Sequence, residues 1–424
     1  MPIIDNFPDR IQDTTCRIAL FQGGLYDNGQ SLQRTINTLY NNNTSKFIKV
    51  DEVFNMRYFN PITMTFGSDN SSANFGEFLS QSDFDERIDN IVNTARFVAN
   101  EGKITLIRTC LNYVYNTDIA LDSIENQKNK LKYIINAFKK YDNVEIYLVG
   151  HSQGGLVNLE TGIDLYYKVD KIISISTPYA PVYLASILSN FDFLVSLFAE
   201  KGAENYYKEC VNTLSSQEYF TNLKNRWNSL TSRPELTAIV GTAGRIRYIN
   251  GESILDSFAA GTFETFETEG FDGLVRVSEQ CDINHASFVH LIKNTVPCYA
   301  ECQYANTYCF SADNNENLCD SSCELVTLHL FDFFSKLLES IFESINSAVA
   351  DGEVNPDGTP KIHWEIPLLD MFSRIGKAGV YLPEDDFEEE VQYRDYEIVY
   401  KSPYNHGFVR YCPETISSLE LLLR

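Results

Sequence analysis

The stretch that decides the fold is NVEIYLVGHSQGGLVN, Asn143–Asn158. Val144–Val149 is a largely apolar run rich in strand-forming residues, which is typical of a strand buried on both faces of a parallel sheet. The residues from Leu156 onward, LVNLETGIDLYYK, predict a helix. A serine between glycines, directly after a buried strand and before a helix, predicts a tight turn. Such a turn presents the Ser152 hydroxyl at the carboxyl edge of the sheet.

Further strand-like runs lie on both sides of this stretch and alternate with helical patterns. These runs are Arg17–Phe21, Phe47–Phe54, Lys103–Ile107, Lys171–Ser176, Leu236–Val240 and Glu397–Tyr400. Ahead of Asn143, Leu131, Ile134, Ile135 and Phe138 recur at helical spacing with Lys and Asn between them. Strands that alternate with helices form right-handed crossovers. The sequence therefore predicts an α/β fold with a mostly parallel central sheet flanked by helices.

The composition limits the class of protein. The chain has 424 residues, of which 44% are hydrophobic and 13% aromatic, so it can bury a large core. Its formal net charge of −24 argues against nucleic acid as a partner and against steady attachment to anionic membranes. No apolar stretch is long enough to predict a transmembrane segment. The start of the chain lacks the pattern of a secretory signal, which leaves the location unknown and slightly favours the cytoplasm unless a signal was removed.

Six of the ten cysteines lie close together in the sequence. They are Cys281, Cys298, Cys302, Cys309, Cys319 and Cys323, whereas Cys16, Cys110, Cys210 and Cys412 are isolated. CYAEC and CDSSC share a spacing that suits a disulfide-stapled loop better than the closer pairs usual in zinc sites. We expect disulfides in this cluster, and the lack of a secretory signal keeps zinc open as the alternative.

Several segments, in chain order, resemble those of the α/β-hydrolase fold superfamily, in its lipase- and esterase-like branch. The resemblance rests on QGGL (22–25), GHSQG (150–154), ISTPYAPVYLA (175–185), FDGLVRVSEQ (271–280) and the terminal run from Tyr396. In that family these segments supply an oxyanion loop, the nucleophile elbow, a loop after the next strand, the acid and the histidine. Gln22 stands where the family usually has a histidine, and the segment between Cys281 and Val391 has no match.

The resemblance implies a catalytic triad and an oxyanion hole. Ser152 would be the nucleophile and Asp272 the acid, because the order Ser, Asp, His is the order of that family. The oxyanion hole would be formed by the backbone amides of Gln153 and of the turn at Gly24 and Leu25. The alternative interpretation of Asp272 is an ordinary turn aspartate that precedes a glycine.

Two histidines compete for the role of catalytic base. His406 lies in a Pro–Tyr–Asn–His–Gly loop ahead of the helix that ends the chain, and it is the preferred candidate. His285, in CDINHASFVHLI soon after Asp272, is the alternative catalytic base. Either histidine could instead be a surface or capping residue, and His151 lies inside the elbow itself.

The predicted domain organisation is a core with insertions. Residues 1–280 are expected to form the α/β-hydrolase core, with a candidate helical lid at 181–230. Residues 281–390 are expected to form a cysteine-rich and helical insertion, and 391–424 the last core strand, the histidine loop and a C-terminal helix. The apolar stripe of His329–Val349 predicts a helix packed on the core or, alternatively, a lid over Ser152 or a surface that touches lipid.

These features predict a serine hydrolase that cleaves carboxylic esters, lipid-like or with an apolar acyl part, through an acyl-enzyme. The expected partner is a small-molecule or lipid ester, with transient contact at a lipid interface, and the chemistry requires no cofactor and no metal. Two alternatives stay open. One is an acyltransferase or thioesterase that uses the same triad, and the other is a non-catalytic binding module with the hydrolase fold.

Overall fold

The structure is a computed structural model of the chain. It describes residues 14–25, 27, 29–67, 76–182, 185–186, 203–241, 275–291, 298–301, 308–311, 391–393, 396–398 and 409–424.

A seven-stranded sheet forms the centre of the fold. Its strands are β1 (Cys16–Gln22), β2 (Phe47–Asn55), β5 (Ile104–Cys110), β6 (Val144–His151), β7 (Lys171–Ile175), β8 (Glu235–Gly241) and β9 (Ser287–Leu291). The strand order is β2-β5-β1-β6-β7-β8-β9, and every neighbouring pair in this sheet is parallel. The parallel sheet predicted from the sequence is therefore confirmed.

Helices connect and flank these strands. They are α1 (Gln33–Asn42), α2 (Gln81–Ala99), α3 (Ile124–Phe138), α4 (Gln153–Asp164), α5 (Glu204–Ser215), α6 (Gln217–Ser229), α7 (Val277–Cys281) and α8 (Pro413–Leu422). The apolar stripe predicted ahead of Asn143 lies on α3, where Leu131, Ile134, Ile135 and Phe138 are buried. Ser123 caps this helix, because its side chain accepts a hydrogen bond from the Asn126 amide. The helix α3 packs on α4, the helix that follows the elbow.

The central strands are buried almost throughout, as expected for a parallel sheet covered on both faces. In β1 and β6 only Arg17 and Glu145 are partly exposed, and their side chains pair with an Nε–Oε2 distance of 2.9 Å. The register sets Gln22 of β1 beside Gly150 of β6. The loops that follow these two strands therefore begin side by side at the carboxyl edge of the sheet.

The seventh strand differs from the predicted one. We predicted the last core strand near Glu397–Tyr400, but the structure places Ser287–Leu291 beside β8. In the segment SFVHL, serine and histidine interrupt the apolar residues, and only the final residue, Leu291, is buried. Residues 391–393 and 396–398 instead form β12 (Val391–Tyr393) and β13 (Tyr396–Ile398) of a separate two-stranded sheet. The predicted C-terminal helix is confirmed as α8.

The chain separates into two compact units. One consists of Met1–Gly241, Leu274–Leu291 and Phe408–Arg424, and it contains the seven-stranded sheet. The other consists of Thr242–Gly273 and Ile292–Gly407. Its described strands are β10 (Cys298–Glu301) and β11 (Tyr308–Ser311), which pair antiparallel, together with β12 and β13. A third two-stranded pair, β3 (Phe59–Asn60) and β4 (Thr65–Phe66), belongs to the first unit.

Two expectations from the sequence concern segments that the structure describes only in part. Cys281 carries a free thiol and so takes no part in a disulfide in this structure, whereas the side chains of the other five clustered cysteines lie outside the described residues. Across the described parts of the chain, none of the helices combines the length and the apolar character that crossing a membrane requires.

Candidate active site

Ser152 occupies a strained turn between β6 and α4. Its φ of 55° and ψ of −128° lie in a region that L-residues rarely adopt, at a cost of about 1–3 kcal/mol. The Ser152 amide donates to the Ile175 carbonyl at 2.9 Å. The Ser152 carbonyl accepts from the Gly155 amide and from Thr177 Oγ1, each at 3.0 Å. These bonds to β7 and to the loop after it hold the serine in its unfavourable conformation.

Glycines around Ser152 are required by close packing. A Cβ on Gly150 would lie 2.6 Å from backbone atoms of Gly154 and Gly155, and one on Gly154 would lie 2.4 Å from the Gln22 and Gly23 carbonyl oxygens. Contacts below 3.0 Å to backbone cannot be relieved by rotating a side chain. The glycines therefore allow the start of α4 to lie against the loop that follows β1.

That loop brings Gly24 against the serine. A Cβ on Gly24 would lie 2.8 Å from Ser152 Cβ and 3.3 Å from Ser152 Oγ. The Gly23 amide donates to Asp27 Oδ2 at 3.1 Å and is therefore committed to the loop itself. The Gln153 amide lies in the first turn of α4, where a helix offers its own amides no acceptor. The sequence-predicted residues Ser152, Gln153 and Gly24 thus lie together in the structure.

Asp27 organises the loop, and the sequence analysis missed it. Its buried carboxylate accepts hydrogen bonds from the amides of Gly23, Gly29 and Ser31 at 3.1, 2.9 and 3.1 Å. Burial raises the pKa of the Asp27 carboxyl, and the amide donors and the nearby Arg410 guanidinium oppose that rise. The sequence signal was the Asp-Asn-Gly turn at 27–29, which predicts a turn but not the amides that it collects.

A chain of buried polar side chains lies beneath the elbow. Thr109 Oγ1 donates to Gln22 Oε1 at 2.6 Å, and Gln22 Nε2 donates to Gln127 Oε1 at 3.2 Å. Gln127 Nε2 approaches Gln153 Oε1 at 3.4 Å, and Gln153 Nε2 approaches Cys210 Sγ at 3.8 Å. Burial raises the pKa of the Cys210 thiol to about 12, so this sulfur stays neutral at physiological pH. The network fixes the side chain of Gln153, the residue that follows Ser152.

Residues 275–280, which follow Asp272 in the sequence, are held at the carboxyl edge of the sheet. Gln280 Oε1 accepts from the Gly241 amide at 3.0 Å, and Gln280 Nε2 donates to the Gly241 carbonyl at 2.9 Å. The same Nε2 also donates to the Val275 carbonyl at 3.2 Å. Gly241 is the last residue of β8, so Val275 lies at the carboxyl edge of the sheet.

Val409 and Arg410, which follow His406 in the sequence, are anchored near the loop after β1. Val409 is fully buried, and the Arg410 carbonyl accepts a hydrogen bond from Thr35 Oγ1 at 2.8 Å. Thr35 lies in the first turn of α1, the helix that follows the Asp27 loop. Asp272 and His406 themselves lie outside the described residues.

The alternative base, His285, does not lie beside Ser152. It is exposed and precedes Ser287, the first residue of β9, which pairs with Thr237 near the start of β8. His285 therefore enters the sheet from the amino-terminal side, whereas Ser152 leaves it at the carboxyl edge. Three strand spacings also separate β6 from β9, which amounts to roughly 14 Å.

The described part of the candidate lid packs on the core. Arg226 of α6 pairs with Glu160 and Asp164 of α4 at 2.7 and 2.8 Å. Trp227 is fully buried, and its Nε1 donates to the Asn284 carbonyl at 2.8 Å. The helix α6 is thus fixed to the helix that follows Ser152. Residues 187–202 of the predicted lid lie outside the described residues.

No protein-family model matches the sequence, and no curated protein matches it. Among solved structures, the chain is similar to Bacillus licheniformis lipase BlEst2 in mature form, with 14% identity and a TM-score of 0.35 over 67% of this chain and 86% of that chain. It is also similar to the product of lin2722 from Listeria innocua, with 12% identity and a TM-score of 0.35 over 65% of this chain and 83% of that chain. The metagenomic carboxyl esterase MGS0156 gives 13% identity and a TM-score of 0.33 over 65% and 63%.

These values assign the chain to no family, and the fold class stands on the chain's own geometry. All seven strands of the central sheet run parallel, and helices flank them. A serine with positive φ sits between a buried central strand and the amino terminus of a helix, at the carboxyl edge of this sheet. That combination is the α/β-hydrolase fold.

Proposed function

We propose that the protein is a serine hydrolase that cleaves carboxylic esters with an apolar acyl part. One observation carries the proposal: Ser152 is held at φ 55° and ψ −128° at the carboxyl edge of the sheet, with the Gly24 turn packed against its Cβ. An ordinary strand-to-helix turn needs no serine in such a conformation, whereas an exposed nucleophile beside backbone amide donors does.

The proposed mechanism follows from this geometry. Ser152 Oγ attacks the ester carbonyl while His406 takes its proton, because a serine hydroxyl is a weak nucleophile at neutral pH. The amides of Gln153 and Leu25 stabilise the oxyanion, since Gly23 already donates to Asp27. His406 returns the proton to the leaving alcohol, and Asp272 orients the imidazole. Water then hydrolyses the acyl-enzyme by the same steps.

The flanks of Asp272 and His406 support their roles. Val275, three residues after Asp272, is held to the last residue of β8 through Gln280. Val409, three residues after His406, is buried next to the residue that Thr35 binds at the start of α1. Both flanks lie with the loops at the carboxyl edge, where Ser152 lies. The position of His285 on the other side of the sheet favours His406 as the base.

The preference for an apolar acyl group rests on the sequence. The apolar runs YLASILSNFDFLVSLFAEKG (183–202) and His329–Val349 have the pattern of helices that cover a site or meet a lipid interface. We therefore expect lipid-like esters to react faster than esters of small polar acids.

Labelling with a fluorophosphonate probe tests the proposal. The probe phosphonylates an activated serine, so wild-type protein should be labelled and Ser152→Ala should not. Ser215→Ala is the matched control, because Ser215 is also half-buried and its hydroxyl donates to the Asn212 carbonyl within α5. His406→Ala should lose labelling and His285→Ala should keep it. Labelling of folded Ser152→Ala at the wild-type rate would overturn the assignment of the nucleophile.

The other candidate functions give different outcomes in the same experiment. A binding module with the hydrolase fold would not be labelled, with or without a detergent that opens a lid. A thioesterase or an acyltransferase would be labelled. It would then prefer a thioester over the matching oxygen ester, or transfer the acyl group to an added alcohol faster than to water.

A further inference from the structure

The turn that borders Ser152 is held by a side chain from another loop. Asn112, two residues past the end of β5, is 1% exposed, and its Nδ2 donates to the Gly24 carbonyl oxygen. The Asp27 amide donates to the same oxygen at 3.3 Å. The Gly24 carbonyl is therefore restrained by two donors, and one of them comes from 88 residues away in the chain.

This carbonyl belongs to the peptide unit that also contains the Leu25 amide. A peptide unit is planar and trans, so its C=O and its N–H point in opposite directions. Restraining the Gly24 oxygen consequently sets the direction of the Leu25 N–H. Because the Gly24 Cα borders Ser152, that N–H belongs to the part of the turn that a carbonyl bound at Ser152 would meet.

Asn112 is itself fixed by a buried ion pair. The Lys130 ammonium donates to the carbonyls of Leu111 and Tyr113, on either side of Asn112, and to Asp122 Oδ2 at 2.6 Å. The Asp122 amide donates to the Asn112 carbonyl at 2.7 Å. The Lys130 and Asp122 side chains are 0% and 2% exposed. A charge pair removed from water in this way holds its partners rigidly, since any movement leaves a buried charge without a hydrogen bond.

We propose that Asn112 is a positioning residue for the oxyanion hole. Its side-chain amide holds the Gly24–Leu25 peptide so that the Leu25 N–H meets the negative oxygen that forms after Ser152 attacks. This inference rests on the proposed ester hydrolase function and names a residue that the sequence analysis did not select.

Steady-state kinetics of Asn112→Ala test the inference. We expect kcat toward a chromogenic short-chain ester to fall by about 10- to 100-fold, because a misaligned donor costs less than the 100- to 1,000-fold loss of a deleted one. KM should stay within about threefold of wild type, since the bond matters mainly after the charge forms. The fluorophosphonate labelling rate should fall in parallel with kcat.

Asn126→Ala is the matched control. Asn126 is half-buried, and its Nδ2 donates to Asp122 Oδ1 at 2.7 Å, so its substitution removes a hydrogen bond to the same ion pair while the bond to the Gly24 carbonyl is kept. It should lower the melting temperature and keep kcat within about twofold of wild type. Equal losses of kcat in the two variants would mean that Asn112 only supports the fold, and this would overturn the inference.

The pH dependence of kcat in Asn112→Asp distinguishes a positioning role from a purely structural one. Its carboxylate cannot donate to the Gly24 oxygen, but the protonated acid can. Burial and the nearby Asp122 carboxylate raise the pKa of such a carboxyl, and the Lys130 ammonium opposes that rise, so protonation should fall within an accessible range. The ratio of variant kcat to wild-type kcat should rise by at least about fivefold from about pH 8 to about pH 5. A ratio that does not change with pH would overturn the inference even where Asn112→Ala fails to fold.

Failure of the inference differs from failure of the proposed function. Wild-type protein that reacts with fluorophosphonate, together with an Asn112→Ala variant that reacts equally fast, overturns only the role of Asn112. Wild-type protein that never reacts, with or without detergent, overturns both.

Discussion

Replacing Gly154 by alanine tests the close approach between the helix after the elbow and the loop after β1. The added Cβ would lie 2.4 Å from the Gln22 and Gly23 carbonyl oxygens, whereas ordinary contact begins at 3.4 Å. The loop and the helix must therefore separate by about 1 Å. Both contacts are to backbone atoms, so rotating a side chain cannot relieve them.

Two opposing contributions to the free energy of unfolding determine the expected effect of Gly154→Ala. Alanine favours a helix over glycine by about 1 kcal/mol, which alone would stabilise the variant. Overpacking against an immobile neighbour costs about 1–3 kcal/mol, so we expect a net destabilisation of up to about 2 kcal/mol. A displacement of about 1 Å at the Gly24 turn should lower the rate of fluorophosphonate labelling by about 100-fold.

Gly162→Ala is the control, because it makes the same change in the same helix. Its Cβ would lie 2.4 Å from Ile172 Cδ1, the end of a flexible side chain, and its next contacts lie at 3.6 and 3.7 Å. Displacing Ile172 from its preferred rotamer costs about 0.5–1.5 kcal/mol and offsets the gain in helix propensity. Urea unfolding should therefore give a stability within about 1 kcal/mol of wild type, and labelling should keep the wild-type rate.

Comparing Gly154→Ala with Gly162→Ala separates the effect of close packing against the loop after β1 from a general effect of alanine in α4. A Gly154→Ala protein that is as stable as wild type and is labelled as fast would mean that the loop after β1 does not lie on the start of α4. A loss of labelling in Gly162→Ala equal to that in Gly154→Ala would mean that any alanine in this helix disturbs the site. Either result would refute the reasoning.

Two further predictions concern single residues of the site. Burial raises the pKa of the Asp27 carboxyl, so its contribution to stability is fully present below its unfolded pKa and is lost as the pH rises through the folded value. The stability of wild type relative to Asp27→Asn should therefore fall as the pH rises from about 4, and urea unfolding at a series of pH values would show a flat difference if the carboxyl is not perturbed. At position 152, glycine relieves the strain of positive φ and alanine does not, so Ser152→Gly should be more stable than Ser152→Ala by about 1 kcal/mol. Equal melting temperatures of these two inactive variants would show that the turn relaxes without the serine.

The central sheet and the elbow could be predicted from the sequence because their signals are local. The strand β6 is an apolar run, and Gly150, Ser152 and Gly154 follow within a few residues, so strand, turn and helix are visible together. The tight packing of Gly154 explains why the pattern demands a glycine there. The last core strand has a weaker signal, because serine and histidine interrupt the apolar residues of SFVHL.

Residues that act through distant contacts could not be predicted. Asn112 meets Gly24 across 88 residues, and Thr35 meets Arg410 across 375. Neither pairing leaves a pattern in a single sequence, because any asparagine or threonine at those positions would read as an ordinary loop or helix residue. Asp27 was visible as a turn residue, but its role depends on three amides that converge only after the loop folds.

The strain at Ser152 is the strongest reason to expect chemistry at this site. A glycine would fill the same turn at lower cost, because it adopts positive φ freely. The chain instead keeps a serine there and holds it with bonds from Ile175 and Thr177. Those bonds explain how the conformation persists, but they involve only backbone atoms of Ser152, so they do not explain why the residue is serine. Glycine would lack the hydroxymethyl group, whose hydroxyl is its only reactive part and lies beside the Gly24 turn and the amino terminus of a helix, where negative charge is favoured.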